Sequence, residues 1–119
     1  ARRKWIHCFD GVNCILYCIA LDDYSLRCSE DLVTNRMSES VRLFQDVLAI
    51  DGLSVLPFII FFNKIDLLRS KIQEDPSELV KLYPEYDGGS DGDKALAFIC
   101  AQYKGSIPPG RRIYSHVTC

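Results

Sequence analysis

The stretch VLPFIIFFNKIDLL, residues 55–68, runs eight largely apolar positions directly into Asn63-Lys64-Ile65-Asp66. The apolar part is far too short to cross a bilayer, and it has the length and branched or aromatic content of a strand buried on both faces. Its polar end then stands at the strand's carboxyl edge. In open α/β sheets the crevice beyond those edges is where ligands bind, so Asn63, Lys64 and Asp66 are the first candidates for chemistry.

The segments around it alternate in type. VNCILYCIAL, residues 12–21, is nearly continuous in apolar and β-favouring residues and is closed by DDYS, which predicts a buried strand and a turn. Thr34 is placed to cap a helix in which Met37, Val41, Phe44 and Leu48 recur at helical spacing, with Asp51-Gly52 as its stop. After the central strand, DLLRSKI makes a short helical turn, followed by a long polar loop holding Pro76, Pro84 and DGGSDG. Ser90 or Asp91 caps a further helix with Ala95, Leu96, Ile99, Cys100 and Tyr103 along one side, and PPG breaks the chain before a third strand, RRIYSHV. Strand, helix, strand, helix, strand predicts crossover units on a parallel sheet, an α/β fold. Three strands make a small sheet, and the first lacks a neighbour on one edge.

A chain of 119 residues has room for one domain. With 48% hydrophobic and 25% charged residues and a net charge of -2, there is no basic surplus for nucleic acid. The apolar runs fall short of a membrane span and no leader pattern opens the chain, so the composition reads as soluble and intracellular. The six cysteines, Cys8, Cys14, Cys18, Cys28, Cys100 and Cys119, form no C-x-x-C pair and read as buried reduced thiols. Neither His7 with Cys8 nor His116 with Cys119 has the paired spacing of a zinc site, and no metal site is assigned.

The polar strand end has a specific chemical use. A guanine base shows an N1–H and an N2 amine side by side; one carboxylate, Asp66, accepts both, and adenine offers no such pair. Asn63 can use its amide on the base N7 or on neighbouring loop backbone, and the aliphatic stem of Lys64 can lie under the ring. An analogue without the matching groups leaves a desolvated carboxylate unpaired. Composition alone produces this four-letter pattern in about 1–2% of chains of this length, so its place at the end of the most strand-like run is what favours base reading over a merely polar strand end.

RRKWIHCFDGV (residues 2–12), NRMSES (35–40), the strand with NKIDLL, YPEYDG (83–88) and the terminal HVTC together resemble the alpha subunit of heterotrimeric G proteins, in that order and over essentially the whole chain. The resemblance implies the C-terminal portion of a Ras-like P-loop NTPase fold, with three parallel strands and alternating helices. It assigns Asn63, Lys64 and Asp66 to the guanine-specificity motif, and likens Thr118-Cys119 to the start of a Thr-Cys-Ala loop that meets the guanine O6, which adds Cys119 to the nucleotide site. Residues 2–9 resemble the end of the second switch helix, where Lys4, Trp5 and Cys8 match contacts to the beta-gamma dimer. Arg2 resembles a switch arginine whose partner in the GTP state falls at Glu39; the bland alternative is an exposed ion pair worth about 0–1 kcal/mol. The loop over residues 104–112 lies where the family approaches its receptor. Implied partners are therefore the beta-gamma dimer, a G-protein-coupled receptor and an effector, the implied ligand is GTP or GDP, and the implied place of the intact protein is the cytoplasmic face of the plasma membrane.

The departures matter for mechanism. GTP hydrolysis in this family needs a phosphate-cradling Gly-rich loop, a magnesium-binding threonine, an arginine supplied in cis and a water-orienting glutamine. No G-x-x-x-x-G-K-[ST] and no D-x-x-G occurs, so no catalytic residue is assigned, and Mg2+ is implied for the intact protein without ligands in this span. The stretch alone is expected not to hydrolyse GTP and to bind nucleotide weakly, because phosphate contacts carry much of the affinity. Its ends read as cut. The expectation is a partial GTPase domain, running from the end of the second switch helix to the start of the guanine loop, that exposes apolar surface when isolated. The alternative is a non-catalytic interaction module that binds beta-gamma or an effector.

Overall fold

The computed structural model describes residues 14–27, 34–50 and 56–118. Along the chain come β1 (Ile15–Ala20), a 3-10 helix (Leu21–Ser25), α1 (Arg36–Leu48), β2 (Phe58–Asn63), α2 (Ile65–Glu74), α3 (Ser77–Leu82), α4 (Gly92–Lys104) and β3 (Ile113–Val117). The strands form one parallel sheet in the order β1-β2-β3, with Ala20 opposite Asn63 and Phe62 opposite Val117. The α/β class and the central place of the FIIFFN strand agree with the sequence expectation. Pro57 precedes β2, where its missing N–H costs the ladder nothing, and its carbonyl accepts from the Ile15 N–H at 3.0 Å.

Alternation along β2 turns Phe58, Ile60 and Phe62 into the core. Against them pack Met37, Phe44 and Leu48 of α1 and Ala95, Ile99 and Tyr103 of α4, the apolar stripes foreseen from spacing. Phe44 is the hub, with its ring 5.1 Å from Tyr17, 6.2 Å from Phe58 and 5.8 Å from Tyr103, each edge to face. The hydroxyls at this hub are satisfied on α1: Tyr17 donates to the Ser40 carbonyl at 2.7 Å and Tyr103 to Ser40 Oγ at 3.0 Å. The opposite face is uncovered among the described residues, and Leu16 and Tyr114 are 60% and 59% exposed on it. The first strand is thus half-buried rather than buried throughout. Cys18 is likewise exposed, contrary to the expectation of a buried thiol, because alternation along β1 turns it to that open face.

Three local expectations need correction. The cap of α1 is Asn35, not Thr34: its Oδ1 accepts from the Met37 and Ser38 N–H groups at 2.8 and 3.1 Å while its Nδ2 donates to the Tyr24 carbonyl at 2.5 Å. An amide both donates and accepts along one side chain, so it joins the helix start to the turn after β1. DLLRSKI is part of a helix of 10 residues, since Ile65, Leu68 and Ile72 all fall on its buried side. Part of the expected polar loop is α3, which Asp75 opens by accepting from the Ser77 N–H at 2.9 Å and which Leu79 anchors in the core. At α4 the cap is Asp91, accepting from Asp93 and Lys94 at 2.9 and 3.2 Å.

Candidate functional site

The crevice at the carboxyl ends of β1, β2 and β3 is built from backbone first. Thr118, just past β3, donates its N–H to the Phe62 carbonyl at 2.8 Å and accepts from the Ile65 N–H at 3.2 Å. The β3 exit is thereby stitched to both sides of the β2–α2 junction. Lys64 sits at that junction in the left-handed region, φ 68° and ψ 39°, and is the only non-glycine residue there among those described. This conformation turns the chain from β2 into α2 within one residue, at a steric cost that most side chains avoid.

Side chains complete the geometry. The Thr118 hydroxyl donates to Asn63 Oδ1 in a short hydrogen bond. With Oδ1 taken, the Asn63 amide has its two N–H donors left for a ligand, which suits an acceptor such as a ring nitrogen. Asp66 lies in the first turn of α2, where the helix dipole favours a carboxylate, and both it and the Lys64 side chain are exposed. At the end of β1, Asp23 is pushed up from the ordinary carboxylate range by burial and by its neighbour Asp22, against the opposing pull of Arg36, Lys64 and Lys71. The field of Lys64 thus reaches the turn after β1. Asp22 itself is buried and faces Lys71 Nζ at 3.7 Å, while the same Nζ donates to Ser25 Oγ at 2.8 Å, which ties this turn to α2.

A family model described as the G-protein alpha subunit matches residues 1–119. The chain belongs to the G-protein alpha-subunit family. It is 38% identical over 122 residues to the guanine nucleotide-binding protein alpha-4 subunit of Caenorhabditis elegans, an alignment that takes in 99% of this chain and 33% of that protein. This alpha-subunit chain therefore spans about a third of the length of that curated relative.

Within the alpha-subunit chain, the structure brings Asn63, Lys64 and Asp66 together at one strand end, as their spacing required. Cys119, Arg2, Lys4, Trp5 and Cys8 lie outside the described residues. Glu39 belongs to a separate surface, the first turn of α1, where it pairs with Arg42 at 2.5 Å. In the loop over residues 104–112, Arg111 is turned inward: its guanidinium lies 5.0 Å from the Phe58 ring centre and donates to the Leu48 carbonyl at 3.2 Å. The likeness of Thr118-Cys119 to a Thr-Cys-Ala loop placed Thr118 near the base, but the pairing of its hydroxyl with Asn63 was absent from the sequence-derived site. No local signal gives that pairing, because the two residues lie 55 positions apart.

Proposed function

We propose that this chain is the guanine-reading part of a GTP-binding signal transducer, an alpha subunit that cycles between a receptor, a beta-gamma dimer and an effector. The carrying observation is the Thr118–Asn63 hydrogen bond. It commits the Asn63 oxygen inward and leaves N–H donors for the base N7, while Asp66 stands three positions on as the acceptor for N1–H and the N2 amine. Lys64, held left-handed, lays its stem along the ring. These residues fit a guanine base, and we assign none of them to the phosphates or Mg2+; those contacts and GTP hydrolysis are proposed for other residues of the intact protein. When bound, the metal would neutralise phosphate charge there. Arg2, Lys4, Trp5, Cys8 and Glu39 are proposed as the partner-facing residues and Cys119 as a neighbour of the base, at the cytoplasmic face of the membrane in the intact protein.

Calorimetric titration with GDP, GTP and ATP, on the parent chain and on Asp66→Ala, tests the reading. Weak binding of both guanine nucleotides but not of ATP, abolished by Asp66→Ala, is the expected result. Equal binding of ATP, or guanine binding that survives Asp66→Ala, removes the assignment of base identity to this strand end.

A further inference from the structure

Where the turn after β1 meets the β2–α2 junction, two of the charged side chains are already committed. Lys71 Nζ lies 3.7 Å from the Asp22 carboxylate and donates to Ser25 Oγ at 2.8 Å, and Arg36 Nε donates to the Arg27 carbonyl at 3.0 Å. With Asp66 set aside for the base, Asp23 and Lys64 remain. Neither the Asp23 carboxylate nor the Lys64 ammonium makes a hydrogen bond or a close ion pair among the described residues.

The backbone brings these two residues to the same strand ends. Ala20 and Asn63 lie opposite each other on the last rung of β1 and β2, and Lys64 follows Asn63 directly. On the β1 side the 3-10 helix begins at once, and its short rise of about 2 Å per residue keeps Asp23 near the strand end. Asp23 is half-buried; burial, then Asp22, push its carboxyl up, against the pull of Arg36, Lys64 and Lys71 in that order. Lys64 thus acts on Asp23 more strongly than Lys71 does, although the Lys71 ammonium sits on the adjacent carboxylate. The Lys64 backbone is fixed, because its carbonyl accepts from the Leu68 N–H at 3.1 Å and the following N–H, of Ile65, donates to the Thr118 carbonyl at 3.2 Å. Only its exposed side chain is left to move. Such a side chain gives up rotamer freedom to lie under a ring, and an ion pair at its tip reduces what binding must take away.

We propose that Asp23 is a positioning residue for guanine recognition: with the base seated, its carboxylate holds the Lys64 ammonium across the mouth of the crevice and so keeps the lysine stem under the ring. The proposal rests on the guanine reading of Asn63, Lys64 and Asp66. It is tested by NMR titration of the isotope-labelled chain with GDP and with ATP at low ionic strength, on the parent, Asp66→Ala, Asp23→Asn, Lys64→Met and the Asp23→Asn/Lys64→Met double variant. Methionine keeps an unbranched apolar stem and removes the ammonium. Each single variant is expected to weaken GDP binding about threefold, the scale of a partly exposed ion pair, and the double variant also about threefold, since the second change has no interaction left to remove. A field effect alone runs the other way at Asp23, because removing a negative charge favours an anionic nucleotide. Burial and Asp22 disfavour the Asp23 charge, so the melting temperature of Asp23→Asn should hold or rise while its GDP affinity falls, which a residue serving only the fold would not show. Arg36→Gln is expected to bind GDP like the parent. The proposal is overturned if Asp23→Asn binds GDP as tightly as the parent, if its loss comes with a lowered melting temperature, if Arg36→Gln reproduces that loss, or if the two single effects multiply to about ninefold in the double variant. Each of these outcomes leaves the guanine reading standing when the parent takes GDP over ATP and Asp66→Ala does not. A parent without that preference overturns the guanine reading, and the Asp23 anchor with it.

Discussion

The Thr118 hydroxyl donates to Asn63 Oδ1, so the exits of β3 and β2 are joined side chain to side chain as well as by the Thr118–Phe62 and Ile65–Thr118 backbone bonds. Thr118→Val removes the donor and keeps the volume. The Asn63 amide can then turn its oxygen outward, where it repels an acceptor on the ligand. The expected result is a loss in GDP affinity of about tenfold, the scale of one hydrogen bond left unmade, with Thr118→Ser close to the parent. Calorimetry with GDP on the three proteins decides it; Thr118→Val binding as tightly as the parent removes the lock from the site.

Lys64 occupies a left-handed conformation that glycine adopts freely. Lys64→Gly relieves strain of roughly 1 kcal/mol, offset in part by the freedom glycine gains in the unfolded chain. Urea denaturation should therefore show unchanged or slightly raised stability, while guanine nucleotide affinity falls because the stem under the ring is gone. A clear loss of stability would mean that the Lys64 side chain supports the fold.

Asp22 and Lys71 join the turn after β1 to the helix that carries Asp66. Lys71→Met strands a buried carboxylate, one of whose oxygens, Oδ1, already lacks a partner among the described residues. We expect a destabilisation of about 3 kcal/mol, at the low end for breaking such a pair because Lys71 is partly exposed. Adding Asp22→Asn should restore much of it, since the charge that needed a partner is gone. Chemical denaturation of both variants reads this directly; equal losses in the single and the double variant would locate the effect in packing.

Asn35 serves two elements, capping α1 and holding the Tyr24 carbonyl. Asn35→Ala is expected to cost about 2 kcal/mol, the upper part of the usual range for a lost cap. Asn35→Asp keeps the acceptor for the helix but not the donor, and should fall between the two in thermal melts.

Tyr24 predicts an alkaline limit to stability. Its phenol ionises near 10 when unfolded but is pushed up to about 12 in the fold, chiefly by burial. Between those values the native state holds a proton that the unfolded state releases, so the stabilisation is fully present below pH 10 and is lost as pH rises through 12. Tyr103, also pushed up by burial, acts in the same direction. Denaturation measured at several pH values across this interval should show a falling stability whose slope is shallower in Tyr24→Phe; an identical slope would acquit Tyr24.

Much of this protein is legible without coordinates because the relevant signals are local. FIIFFN followed by NKID reads as a strand with a polar exit, and Met37, Phe44 and Leu48 read as one face of a helix, since each depends only on the period of neighbouring residues. The family resemblance is of the same kind, carried by contiguous motifs. α2 and α3 were under-read because Pro76 and the acidic run around it look like loop chemistry, although Ile65, Leu68, Ile72 and Leu79 carry a buried face.

Sequence by itself therefore determined the α/β order, the family and the three residues at the end of β2. Tertiary structure decided which way the Asn63 amide faces, because its partner Thr118 lies 55 positions away. It also decided that Arg111 turns inward to Phe58 and Leu48, and that Tyr24 is buried with its hydroxyl unpaired among the described residues. The physical reason is common to all three: hydrogen-bond pairing and burial join groups distant along the chain, and neither leaves a periodic trace in the residues on either side.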